Sequence, residues 1–232
     1  MLVQVPRAWQ RADAPVTSAP PSSPSPSPGI TDLPGAAPGM RIGLFGGSFN
    51  PAHEGHLLVA RQCLTRLALD AVWLLVSPGN PLKDHAELAP LDQRVAATRR
   101  LMDDPRIEVT GFEAAHGFHY TYDTLSFLRQ AFPATRFVWI MGADNLVRFH
   151  EWERWRDIAE LMPMAVYVRP GSALRAISST AATALRRYRI PEAAAETIAG
   201  REPPAWVYLH GMTSKQSSSA IRARRRAASP SA

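Results

Sequence analysis

Eleven residues, GGSFNPAHEGH from Gly46 to His56, hold three glycines, a serine, an Asn-Pro pair and two histidines. Three chemistries use such a set. A zinc-protease helix needs its second histidine four residues after the first, whereas His53 and His56 are three apart and Leu57 holds that place. A nucleophile elbow around Ser48 needs the pattern G-x-S-x-G, and Asn50 stands where the last glycine belongs. Phosphate binding uses every residue. Gly46 and Gly47 lack Cβ, so the backbone can approach a ligand closely and take up positive φ. Asn50-Pro51 signals a turn or helix start, where free N–H groups hold anions. The two imidazoles can hydrogen-bond phosphate or, protonated, neutralise charge that develops on a transferring phosphoryl group. Phosphoryl and nucleotidyl transfer run on positioning and electrostatics, with no covalent enzyme intermediate required. The plainer alternative makes Gly-Gly a tight turn and the histidines structural.

Such a loop must be carried by a scaffold. From Arg41 onward, apolar runs of strand length alternate with segments of helical period, which predicts an α/β fold: a Rossmann-like open parallel sheet with helices on both faces. The predicted strands are RIGLFGG (41–47), AVWLLVS (71–77), RIEVTGF (106–112), RFVWIMG (136–142), MAVYVR (164–169) and AWVYLH (205–210). Helices are expected near 55–69, 90–103, 121–132, 155–161, 172–188 and 217–227. Ligands bind such sheets outside the carboxyl ends of the strands. That singles out three loops, GGSFNPAHEGH, SPGNPLKDH and GADNL, after the first, second and fourth strands.

Composition narrows the function classes. The formal charge is +6, but Lys215, Arg222, Arg224, Arg225 and Arg226 supply five positives and no carboxylate follows Glu202. A duplex binder spreads basic charge over a folded face, so no specific nucleic acid is expected. Cys63 is the single cysteine, which rules out an intramolecular disulfide and a multi-cysteine zinc site and fits a reducing compartment. No apolar run approaches the roughly 20 residues that span a bilayer, so no membrane is expected and the location is read as cytoplasmic. Residues 1–39 are rich in Pro, Ser and Ala and are expected to form a disordered arm. They lack the apolar block of a signal peptide. Arg7 and Arg11 leave a transit peptide open, and Met40 is either the true start or the first ordered residue. The folded domain is expected over 40–228, with a tail at 229–232. Nothing fixes the oligomeric state.

GGSFNPAHEGH resembles the nucleotidyltransferase signature G-G-S/T-F-D/N-P-x-H-x-G-H, whose H-x-G-H is related to that of class I aminoacyl-tRNA synthetases. SSSAIR, Ser217 to Arg222, is similar to the second motif of that superfamily, S-S/T-S/T-x-I-R. Three further segments, YTYDTL (120–125), GADNL with FHEWERWRDI, and VRPG (168–171), resemble nicotinate-nucleotide adenylyltransferases. The resemblance implies a reaction in which ATP and nicotinate mononucleotide give the deamido dinucleotide and pyrophosphate, with Mg²⁺ carried mainly by the ATP phosphates and no metal site of the protein's own. It implies that Gly46, Gly47, Ser48, Phe49, Ser218 and Ile221 bind ATP, that His53, His56 and Arg222 act on its phosphates, and that Lys83 reaches phosphate. Asp144, Thr121 and Trp152 would serve the mononucleotide, Trp152 by stacking on the pyridine ring, while Trp155 would pack in the core. SPGNPLKDH slips by a residue from the family pattern around Lys83, and Asn80 and His85 match it less. Two alternatives stay open: the same chemistry on nicotinamide mononucleotide, and a nucleotide- or RNA-binding relative without catalysis.

Overall fold

The structure, a computed structural model, describes residues 29–79, 88–168, 173–211 and 218–222. Seven strands form one sheet: β1 (Arg41–Gly47), β2 (Ala71–Val76), β3 (Ile107–Thr110), β4 (Arg136–Gly142), β5 (Met164–Tyr167), β6 (Arg189–Ile190) and β7 (Trp206–Leu209), in the order β3-β2-β1-β4-β5-β7-β6. Every pairing is parallel. A parallel sheet is covered on both faces, so its inner strands read as continuous apolar runs; all six residues of β2 are buried. Alternate side chains feed two cores. Trp73, Leu75, Phe137, Trp139 and Met141 enter one, and Val72, Leu74, Val76, Val138 and Ile140 the other.

The helices are α1 (Glu54–Arg66), α2 (Leu91–Leu101), α3 (Phe112–His116), α4 (Thr121–Ala131), α5 (Ala143–Arg148), α6 (Trp155–Leu161), α7 (Ala173–Ile177) and α8 (Thr180–Ala184), with 3-10 turns at Phe149–Glu151, Arg186–Tyr188 and Glu192–Gly200. α1 and α2 cover the second core, while α4, α5 and α6 cover the first. The Rossmann-like expectation is borne out. From β1 the chain steps outward to β2 and β3, then crosses back to β4, so the order reverses between β1 and β4. The loops after those two strands flank the crevice where such sheets take their ligands.

Several local expectations are corrected. The helix expected over 172–188 is broken at Ser178 and Ser179, where the Ser179 hydroxyl caps α8 by accepting from Ala182 N at 3.2 Å. The third strand stops at Thr110, and Phe112 starts a five-residue helix that ends at Gly117, φ 66°. Residues 29–39, expected in the disordered arm, lie on the domain. Gly111 N donates to Ile30 O (2.7 Å), Thr110 Oγ1 to Asp32 O (2.7 Å) and Gly39 N to Ala134 O (2.8 Å). Leu33, Ala36 and Met40 pack on the first core, the apolar anchors that a Pro- and Gly-rich composition conceals.

At the far end of the sheet, Arg66, Glu192 and His210 form a cluster just beyond β7. Arg66 donates to Glu192 and to His210 O, and Glu192 accepts from His210 N at 2.7 Å with His210 Nδ1 also 2.7 Å away. Burial acts to raise the Glu192 carboxyl, but hydrogen bonds from Arg66 and His210 overcome it and hold the group at about 2.

Candidate active site

β1 runs between β2 and β4 and ends in Gly46-Gly47. Neither glycine has a positive φ, contrary to the expectation from sequence. Gly46 is required by packing, since a Cβ there would lie 2.5 Å from Cη2 of Trp139 on the neighbouring strand. The left-handed residue is Phe49, φ 46°, a conformation costing roughly 1–3 kcal/mol outside glycine. Its ring is buried and holds it there, edge-on to Phe45 (5.8 Å) and to His56 (4.9 Å).

The loop is fastened by its carbonyls. Gly47 O accepts from Ser77 N (3.0 Å), Ser48 O from Arg94 Nη1 (2.9 Å), Asn50 O from Arg222 Nη1 (2.6 Å) and Pro51 O from Ser218 Oγ (3.0 Å). The Asn50 side chain, buried, accepts from Ala89 N at 3.3 Å. Donors from three other parts of the chain therefore set the orientation of these peptide planes. Residues 218–222 are helical, with Ile221 half-buried. Ser218 and Arg222 join the two motifs through backbone oxygens rather than standing apart from the loop.

α1 starts directly behind this loop. His53 is its N-cap: Nδ1 accepts from Gly55 N at 3.1 Å, and the Nδ1 of His56 accepts from His53 N at 3.2 Å. This reciprocal cap is the arrangement usually built from Ser or Thr with Glu. An accepting Nδ1 carries no proton, so both rings are assigned as Nε2–H tautomers. The rings stack with centroids 3.9 Å apart. Two N–H donors thus lie side by side at the N-terminus of a 13-residue helix, where the backbone dipole favours an anion.

After β4, Gly142 caps α5, and Asp144 in its first turn folds its carboxylate over the position that a Cβ on Gly142 would occupy. Asp144 is exposed at the start of α5, just past the end of β4, which pairs with β1. Thr121 opens α4 and is half-buried, as is Trp152, which meets Phe149 edge-on at 5.4 Å. Tyr122 and Arg154 bring those two segments together, the guanidinium lying 3.6 Å from the Tyr122 ring centroid. Trp155 is buried against Phe149, as expected for a core residue. Lys83, with Asn80 and His85, lies outside the described residues.

Sequence reasoning missed Arg94 and the side chain of Asn50. Arg94 had a signal: Leu91, Arg94, Val95 and Thr98 have the spacing of one helical face, so an arginine stands among core-facing positions.

The family described as Cytidylyltransferase-like matches residues 44–224, which span both motifs. A probable nicotinate-nucleotide adenylyltransferase of Methylorubrum extorquens is 60% identical over 185 residues, 80% of this chain and 100% of that protein. The chain belongs to the nicotinate-nucleotide adenylyltransferase family. A second probable nicotinate-nucleotide adenylyltransferase, of Agrobacterium fabrum, is 54% identical over 183 residues, 79% of this chain and 98% of the relative. A Plasmodium falciparum nicotinic acid mononucleotide adenylyltransferase, solved in complex with NaAD, superposes with a TM-score of 0.58 at 16% identity, covering 79% of this chain and 83% of that one. At that identity the likeness bears on the fold alone. No helix among the described residues is long and apolar enough to cross a membrane.

Proposed function

We infer that this chain transfers the adenylyl group of ATP to nicotinate mononucleotide, giving deamido-NAD and pyrophosphate in NAD biosynthesis. The observation that carries the reading is the docking of the second motif on the first, Arg222 to Asn50 O and Ser218 to Pro51 O, beside two stacked histidines. A phosphate oxygen of the mononucleotide attacks the α-phosphorus of ATP, the bond from that phosphorus to the bridging oxygen breaks, and pyrophosphate leaves with its electron pair. His53 and His56 hold the ATP phosphates through Nε2–H as charge builds on the leaving group, and Arg222 completes the clamp. Gly46, Gly47, Ser48, Phe49, Ser218 and Ile221 shape the nucleotide side. Asp144, Thr121 and Trp152 form the mononucleotide side, with Trp152 stacked on the ring.

Mg²⁺ bound with ATP would spread the charge of the departing pyrophosphate. The donors proposed at the loop are N–H groups, suited to phosphate oxygens, and the ion is proposed to arrive with the phosphates themselves.

Pyrophosphate release with ATP and Mg²⁺, measured side by side on nicotinate and nicotinamide mononucleotides, tests the reading. A higher kcat/KM on the acid is expected. No release from either would refute the reaction, and preference for the amide would reassign the substrate. His56→Ala should fold and lose kcat by roughly two to four orders of magnitude.

A further inference from the structure

Arg94 is a charge lodged in a core. It faces inward from α2 and is 3% exposed. Its Nε donates to Ala89 O (2.7 Å), Nη1 to Ser48 O (2.9 Å) and Ser77 O (2.7 Å), and Nη2 to Pro78 O (3.4 Å). These carbonyls belong to three segments: the loop after β1, the loop after β2, and the lead into α2. Among the described residues, no carboxylate pairs with it.

Two consequences follow from the chemistry of a guanidinium. Its planar fork of donors spans two neighbouring strand ends and fixes their separation, which the single point of a lysine ammonium cannot do. Among the described residues its charge is met by carbonyl dipoles, which places a positive charge next to the histidine loop. Burying such a charge is costly for the chain alone, and a polyanion arriving at the loop supplies counter-charge.

We propose that Arg94 is a positioning residue for ATP: it sets the Ser48 backbone at its working distance from the β2 loop and holds a positive charge behind the triphosphate. This rests on the reading of Gly46 to His56 as the ATP loop. Among the described residues, the hydrogen bonds of Arg94 go to Ser48, Ser77, Pro78 and Ala89 and not to α4 or Trp152, so its effect is expected on the ATP side.

The test uses the full chain with Arg94→Lys and Arg94→Ala. Calorimetry gives the Kd of a non-hydrolysable ATP analogue, steady-state kinetics gives KM for each substrate, and a thermal melt reports folding. Analogue Kd and KM for ATP should rise roughly ten- to a hundredfold, with the mononucleotide KM within about threefold of wild type. Added guanidinium ion should restore part of the lost ATP affinity to Arg94→Ala. An unchanged analogue Kd in a variant with a lowered Tm would overturn the proposal, as would equal rises in both KM values. Should Arg94→Ala not fold, Arg94→Lys carries the comparison, because it keeps the charge and loses the fork; wild-type ATP affinity in that variant refutes the positioning role. A wild-type chain that binds the analogue but releases no pyrophosphate removes the proposed reaction and leaves the Arg94 result standing. A wild-type chain that does not bind the analogue refutes both.

Discussion

His53 and His56 each commit Nδ1 to the backbone at the start of α1, and that commitment leaves the proton on the opposite nitrogen. Under the proposed function, helix capping and substrate contact would fall to different atoms of one ring, and substitution can separate them. Asparagine is a good N-cap but has no group where Nε2 stands. His53→Asn should keep stability within about 0.5 kcal/mol, His53→Ala should lose about 1 kcal/mol, and both should lose kcat roughly a hundred- to a thousandfold. Urea midpoints and pyrophosphate release check this; an active His53→Asn would make the residue a cap and nothing more. The pairing of these histidines was legible in the spacing of HEGH, because residues three apart share a helix face. Their tautomers were not, since these depend on the helix starting at Glu54 rather than a turn earlier or later.

Elements were legible in proportion to their burial on both sides. β1, β2 and β4 are long apolar runs, and their sequence bounds agree with the structure within a residue. Short pieces governed by local geometry were not readable: α3 has five residues between two glycines, and β6 has two. The junction of α3 with α4 carries a further consequence. Glu113 accepts from Thr124 Oγ1 at 2.7 Å, and burial, which that hydrogen bond only partly offsets, pushes its carboxyl up to about 7. A carboxyl whose folded value is raised binds more protons in the folded chain than in the unfolded one between roughly pH 4.5 and 7. Its contribution is fully favourable below that window and is lost as pH rises through about 7. Glu113→Gln keeps an acceptor for Thr124 and carries no charge, so it should be more stable than wild type by about 1–3 kcal/mol at pH 8 and nearly equal to it at pH 5. Denaturant titrations at both values decide this, and an unchanged difference between them would remove burial as the cause.

At the scale of the molecule, residues 29–40 run along the domain from the end of β3 to the start of β1, tied through Arg99 to Gly29 O (2.9 Å), Ile30 to Gly111, and Met40 to Arg136. A chain starting at residue 41 should therefore be less stable than one starting at 29 by roughly 2–4 kcal/mol, from the lost apolar contacts and hydrogen bonds. Equal stability of the two truncations would show the segment to be dispensable. The opposite end of the chain follows another logic. The Arg66–Glu192–His210 cluster pins the backbone just past β7, and Ser218 is bound to Pro51. Seven residues, 211–217, join His210 to Ser218, a link that reaches roughly 26–29 Å at full stretch. So short a tether gives the second motif an effective concentration on the order of millimolar at its own loop. Another copy of the chain would have to reach that concentration to exchange this segment, so the contact of Ser218 with Pro51 is expected to form within one chain.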